Sequence, residues 1–232
     1  MNSRQLTGES SSPTRRAVSG LGTIVAHSQS SSPNGLGDEL WGGTGPIRLI
    51  DARSGLEPVL ATEVRLVEAT GVLWGRFTCE ATDIRATMSR YKDKVWTEGA
   101  VEIYLRRGDR GPLFEFQVSP IGTCRDLRVL DPGQANQVFD DSWSSHGLVT
   151  EARIRRDDEG DVCGWDAMFG IPLESMEPLD RQPDRGSWKL GAFRLEYQPE
   201  EFSALRSHAH SDPHSADFLC DLQFSAADEG TR

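Results

Sequence analysis

Indole, carboxylate, amide and imidazole are the groups through which this chain of 232 residues could meet a ligand, and its sequence gathers them at three places. In DKVWTEGAVEIYLRR, residues 93–107, Trp96 stands in a charged loop beside Lys94 and Glu98, just before an alternating apolar run. Such an indole has two readings. It can cover the apolar C–H face of a pyranose while carboxylates, amides and guanidiniums bond the hydroxyls, or it can pack the rim of a core. Glu102 and Glu115 fall on one polar face if VEIYL pairs with LFEFQVS, and two carboxylates could act as acid and base in glycoside hydrolysis. A solvated face with Arg106 and Arg107 nearby is the favoured reading of that pair. The third place is SHAHSDPHSAD, which holds His208, His210, Asp212, His214 and Asp217. Imidazole with carboxylate is zinc-ligand chemistry, yet a loop of Ser, Pro and Asp is ordinarily only solvated. No GxSxG, HExxH, P-loop or GxGxxG occurs, and no Ser or Cys has the context of a nucleophile.

These residues need elements to hold them. From Trp41 onward, short alternating segments separated by Gly, Pro, Asp and Asn recur without a sustained 3.6-residue period, which predicts an all-β antiparallel sandwich. Helix is minor, confined to LESM after Pro172. ATEVRLV (61–67) and VLWGRFTCE (72–80) form a hairpin through Glu68–Gly71, with Leu73, Phe77 and Cys79 on one face and Trp74, Arg76 and Thr78 on the other. Pairing VEIYL with LFEFQVS about Asp109-Arg110 sets Val101 opposite Val118, Ile103 opposite Phe116 and Leu105 opposite Phe114. The same register gathers Glu102, Tyr104, Glu115 and Gln117 on the reverse face, and a one-residue slip would put apolar side chains there. Further strands are expected at 124–130, 148–154, 165–171, 188–197 and 218–224, with Trp165 in the core. In WKLGAFRLEY the apolar parity switches across Gly191, which predicts a bulge.

Composition bounds the partners. Thirty-six Asp and Glu against 25 Lys and Arg argue against nucleic acid and anionic membranes, which would repel the chain at long range. No apolar run approaches the roughly 20 residues needed to span a bilayer, so a soluble chain is expected. Cysteines 79, 124, 163 and 220 lie too far apart for a CxxC-type zinc site. Residues 1–35 read as a disordered Ser/Pro/Gly-rich tail, in which Arg15-Arg16 before AVSGLGTIVA makes a weak export signal. The domain then spans 36–226, and 227–232 form a disordered end.

The order ATEVRLV, VLWGRFTCEATDIRATM, VWTEGAVEIYL, FEFQVSPIGTCRDLRV, GWDAMFGIPL, SWKLGAFRLEY and HSADFLCDLQF resembles family 9 of the carbohydrate-binding modules and its DOMON-like relatives over roughly residues 38–225. The resemblance implies a jelly-roll or immunoglobulin-like β-sandwich that binds mono-, oligo- or polysaccharide without catalysis, commonly beside a bacterial glycoside hydrolase. An extracytoplasmic location is suggested by the resemblance alone. Trp96 then matches the family's sugar-stacking tryptophan and Glu102 its hydrogen-bonding glutamate. Gln117 falls where sugar-binding members carry arginine, so an amide replaces a five-donor fork. Arg125 is a further hydroxyl partner. No aromatic residue stands where the second clamp tryptophan belongs, and His214 or Trp143 would have to substitute. Some members bind calcium, for which Glu80 and Asp83 are the candidates, although no cofactor is required. Two other classes compete: a sandwich that has lost its sugar site and serves as a protein-interaction module, and a hydrolase using Glu102 and Glu115. Haem-binding DOMON relatives use Met and His, and Met88 and Met168 are present.

Overall fold

The computed structural model describes residues 23–176, 188–208 and 212–225. Within them the chain forms β1 (Thr23–Gln29), β2 (Ile47–Arg48), β3 (Ile50–Asp51), β4 (Thr62–Ala69), β5 (Val72–Glu80), β6 (Ala100–Arg107) and β7 (Leu113–Val118). There follow β8 (Cys124–Leu130), β9 (Val138–Asp140), β10 (Val149–Arg156), β11 (Val162–Pro172), β12 (Trp188–Tyr197), β13 (Glu200–Ala204) and β14 (Cys220–Phe224). Helix is limited to short 3-10 turns, including Leu173–Met176 where LESM was expected.

Two sheets pack face to face. One runs β10-β11-β5-β4 and the other β14-β12-β6-β7-β8-β9, with β13 beside β12. Strand β1 joins them: Thr23–Ala26 run parallel to Asp221–Phe224 of β14, and His27–Gln29 parallel to Val67–Ala69 of β4. The sandwich is therefore mixed rather than wholly antiparallel. It also begins earlier than residue 36, because Ile24 and Ala26 alternate into the core and give the segment enough apolar burial to order it. Residues 1–22 and 226–232, with the Arg15-Arg16 signal, lie outside the described residues.

Period-two alternation explains the interior. Leu73, Phe77 and Cys79 of one sheet meet Ile103, Phe116 and Leu190 of the other in one buried cluster that also holds Trp165. At Gly75 the sheets come so close that a Cβ would stand 2.7 Å from Ile103 Cδ1. The β4–β5 turn is shorter than expected: β4 continues to Ala69, and Thr70 and Gly71, with φ of 52° and 79°, form a two-residue connection of the kind that suits strand twist. The β6–β7 register is the expected one, residue for residue.

The bulge expected at Gly191 is absent. Strand β12 pairs with β6 in unbroken register from Trp188↔Arg107 to Leu195↔Ala100. Parity switches because both faces of β12 are buried: Trp188, Leu190 and Ala192 enter the sandwich interior, while Phe193 joins a second cluster with Tyr104, Phe202 and Phe218. Gly191 is small because a Cβ there would stand 2.6 Å from the Phe193 ring. That second cluster borders the outer face of β6–β8, where the polar residues gather.

Candidate functional site

Cross-strand pairing builds a polar floor on the outer face of four strands. One row reads Phe193, Glu102, Gln117, Arg125 across β12, β6, β7 and β8, and the next reads Gly191, Tyr104, Glu115, Leu127. The solvated face expected for these carboxylates is instead a buried one, with Glu102 3% and Glu115 4% exposed. Neighbouring loops and strand β9 cover it. Trp96, Phe139, Asp141, Pro213 and His214 stand around the floor and enclose a pocket of about 480 Å³, a size suited to a small ligand.

Each wall is held by ordinary local chemistry. Trp96 lies in a 3-10 turn, Val95–Thr97, anchored by fully buried Val95. The Tyr197 hydroxyl donates to the Trp96 carbonyl at 2.6 Å, and buried Glu98 accepts from the Thr87 amide and hydroxyl at 2.6 Å each. The Arg125 guanidinium sits over the Trp96 ring, 4.5 Å from its centroid, while donating to Lys92 O at 2.9 Å and to the Asp141 carboxylate. On the far side the His214 ring stacks on Tyr104 at 5.3 Å and meets the edge of Phe139 at 5.0 Å.

The floor is tied together by hydrogen bonds. Gln117 Nε2 donates to Glu102 Oε1 at 2.7 Å and also to Glu115, and the Tyr104 hydroxyl donates to Glu102 Oε2 at 2.9 Å. His214 bridges Glu115 at 3.0 Å and Asp212 at 2.8 Å through its two ring nitrogens. Burial, reinforced by the charge of Glu115, pushes the Glu102 carboxyl up to about 8. Burial pulls His214 down, but its bonds and charge contacts with Glu115 and Asp212 outweigh that and bring it to about 8. Near neutral pH the cluster thus holds a neutral Glu102 beside a cationic His214 paired with Glu115.

No family model matches the chain, and no curated protein matches it in sequence. Solved structures do. A proposed carbohydrate-binding protein from Bacteroides uniformis is similar with a TM-score of 0.70 at 14% identity, over 89% of this chain and all of that one. A family 9 carbohydrate-binding module from Caldicellulosiruptor kristjanssonii in complex with cellotriose gives 0.56 at 13% identity, over 90% and 97% of the two chains. The same type of module in complex with glucose gives 0.54 at 12%, over 90% and 99%. The fold is that of the family 9 carbohydrate-binding modules. The DOMON-like part of the expected resemblance rests on the sequence alone.

The family 9 fold brings together most of the residues singled out in the sequence. Trp96, Glu102, Gln117, Arg125 and His214 all line the one pocket. Trp143 does not. Its ring packs on Phe114 at 4.8 Å and Phe116 at 6.1 Å, on the interior side of the sheet, so it cannot replace a clamp residue. Its loop follows β9, and its ring joins the interior cluster that holds these two phenylalanines.

Glu80 and Asp83 are not gathered into a cation site either. Glu80 Oε2 accepts from the Ala61 amide at 3.1 Å and Asp83 Oδ1 from the Ile84 amide at 2.8 Å, and both side chains are exposed. Among the described residues no three His, Cys, Asp or Glu side chains are grouped to hold a metal. The histidine loop is split: His208 approaches Asp217 at 3.9 Å, His214 enters the pocket, and His210 lies outside the described residues. Met168 is buried with Trp41 and Trp74 in a separate cluster. Sequence reasoning missed Phe139, Asp141, Leu127 and Phe202. Leu127 was legible by parity with Arg125 on β8; Phe139 and Phe202 come from the short strands β9 and β13, and Asp141 from the turn after β9.

Proposed function

We propose that this chain is a non-catalytic carbohydrate-binding domain whose ligand enters the pocket on the outer face of β6–β8. What carries the reading is the floor itself: buried hydrogen-bonding groups, Glu102, Tyr104, Glu115 and Gln117, exposed to a cavity whose walls are aromatic. A pyranose has the matching pattern, with an apolar C–H face for Trp96 and an equatorial rim of hydroxyls for the carboxylates and amide. Arg125 packs on the indole and Tyr197 fixes the Trp96 backbone before the ligand arrives, which lowers the ordering cost of binding. The similar structures that carry cellotriose and glucose add support from outside the chain.

The carboxylates favour binding over hydrolysis. Glu102 and Glu115 are tied to one amide nitrogen on one sheet face, whereas glycoside hydrolysis needs them on either side of the scissile bond. Such a module would work beside a glycoside hydrolase acting on the same polysaccharide. With one indole platform the affinity should be weak, Kd roughly 0.1–1 mM or about −4 to −5.5 kcal/mol. Intrinsic tryptophan fluorescence titrated with glucose and cello-oligosaccharides tests this, with Trp96→Ala as the control after circular dichroism has shown it folded. Saturable binding lost in the variant is expected; no response to any sugar would favour a protein-interaction module.

A further inference from the structure

We propose that the pocket prefers a sugar bearing a protonated amine, a hexosamine whose ammonium group docks between Glu102 and the Gln117 side-chain carbonyl; this deepens the sugar-binding reading and rests on it. The argument is one of unmatched charge. Glu102 is 3% exposed, and its two oxygens are met by neutral donors alone, Gln117 Nε2 and the Tyr104 hydroxyl. Among the described residues no Lys, Arg or His forms an ion pair with it. The cations nearby are already committed: His214 to Glu115 and Asp212, and Arg125 to Asp141 and Lys92 O. Lys94 lies over the Trp96 ring at 5.9 Å.

A second observation points the same way. Gln117 lines the pocket and is 2% exposed, and with both floor carboxylates claiming its Nε2, its Oε1 is buried without a hydrogen-bond partner. An unmatched acceptor beside an unmatched carboxylate calls for a cationic donor from the ligand, since leaving a buried acceptor unmade is costly. Trp96, Tyr104, Phe139 and Phe202 line the same space, and aromatic faces attract a cation. In the empty pocket the proton held on Glu102 takes the place of that charge, and it passes to solvent when the ammonium group docks. A neutral hexose also donates hydrogen bonds there, but a charge-assisted bond to a carboxylate is about twice as strong.

Calorimetric titration of the full chain at about pH 7 with glucosamine, glucose and N-acetylglucosamine decides the matter. Glucosamine should bind about tenfold more tightly than either neutral sugar, and in Glu102→Gln the ratio of glucosamine to glucose affinity should fall towards one. Glucose or N-acetylglucosamine binding as tightly as glucosamine would overturn the amine preference and leave the sugar-binding reading standing. Failure of all three to bind, together with cello-oligosaccharides, would overturn both. Should the variant not fold, the comparison of the three sugars on the unaltered chain still decides.

Discussion

Two buried carboxylates sit on the outer faces of the two sheets, and their surroundings could hardly differ more. Asp166 on β11 is 1% exposed and faces Arg76, Arg153 and Arg155 at 3.9, 3.6 and 3.5 Å. Glu102 on β6 is nearly as buried, but its hydrogen bonds come from an amide and a phenol, and the charge nearest it, His214, is paired with Glu115 and Asp212 instead. At Asp166 the protein supplies the countercharge itself, from strands paired on either side of β11. At Glu102 it supplies shape and neutral donors, and leaves the charge to a proton or a ligand. A carboxylate enclosed by its own cations fits a structural role, whereas one hydrogen-bonded by neutral groups at the floor of a cavity fits the binding role proposed for the pocket.

The comparison breaks most visibly at Asp166. Asp166→Ala should lower the unfolding free energy by about 2 kcal/mol, less than for a fully buried pair because the arginines are partly exposed. Urea denaturation reads this, and sugar binding should be unchanged; a loss under about 0.5 kcal/mol would erase the contrast.

The pocket should respond to pH instead. Glu102 is raised from 4.5 to about 8 and His214 from 6.5 to about 8, so the folded state holds both protons more tightly than the unfolded one. Their stabilisation is complete below each unfolded value and is lost as pH rises through about 8. The unfolding free energy should therefore fall between about pH 6.5 and 9, by ~2 kcal/mol from the histidine alone, seen as a falling melting temperature, and the fall should be shallower in Glu102→Gln. A flat profile over that window would refute the assignment.

Smaller effects sharpen the contrast. Tyr197→Phe removes the bond to the Trp96 carbonyl and should weaken sugar affinity about fivefold, on the order of 1 kcal/mol, with little change in stability; equal loss of both would make Tyr197 a packing residue only. Glu102→Gln should raise stability near pH 7 rather than lower it, because Glu102 must take up a proton to be buried neutral there and Gln need not. A loss as large as that of Asp166→Ala would put the two carboxylates in the same class.

Much of this was legible in the chain. The β6–β7 register followed from alternation alone, because only one pairing puts Val101, Ile103 and Leu105 opposite Val118, Phe116 and Phe114. That register already placed Glu102, Tyr104, Glu115 and Gln117 together. Their burial was not legible, since alternation says which side chains share a face but not what covers it. The same limit explains Gly191, where a parity switch stood for a strand buried on both faces rather than for a bulge. It also explains Trp143, whose ring packs on Phe114 at the interior side of the sheet.

By itself the sequence determined the strands, their pairing across the hairpin and the composition of the polar face, because these depend on neighbours a few residues apart. Only the tertiary structure decided that Phe139, Asp141 and His214 close over that face, that Arg125 turns to Asp141 and Trp96, and that Glu102 is left without an ion pair among the described residues. Such contacts join residues as many as 110 positions apart, as Tyr104 and His214 are, and no local pattern encodes which distant loop will arrive or which charges it will bring.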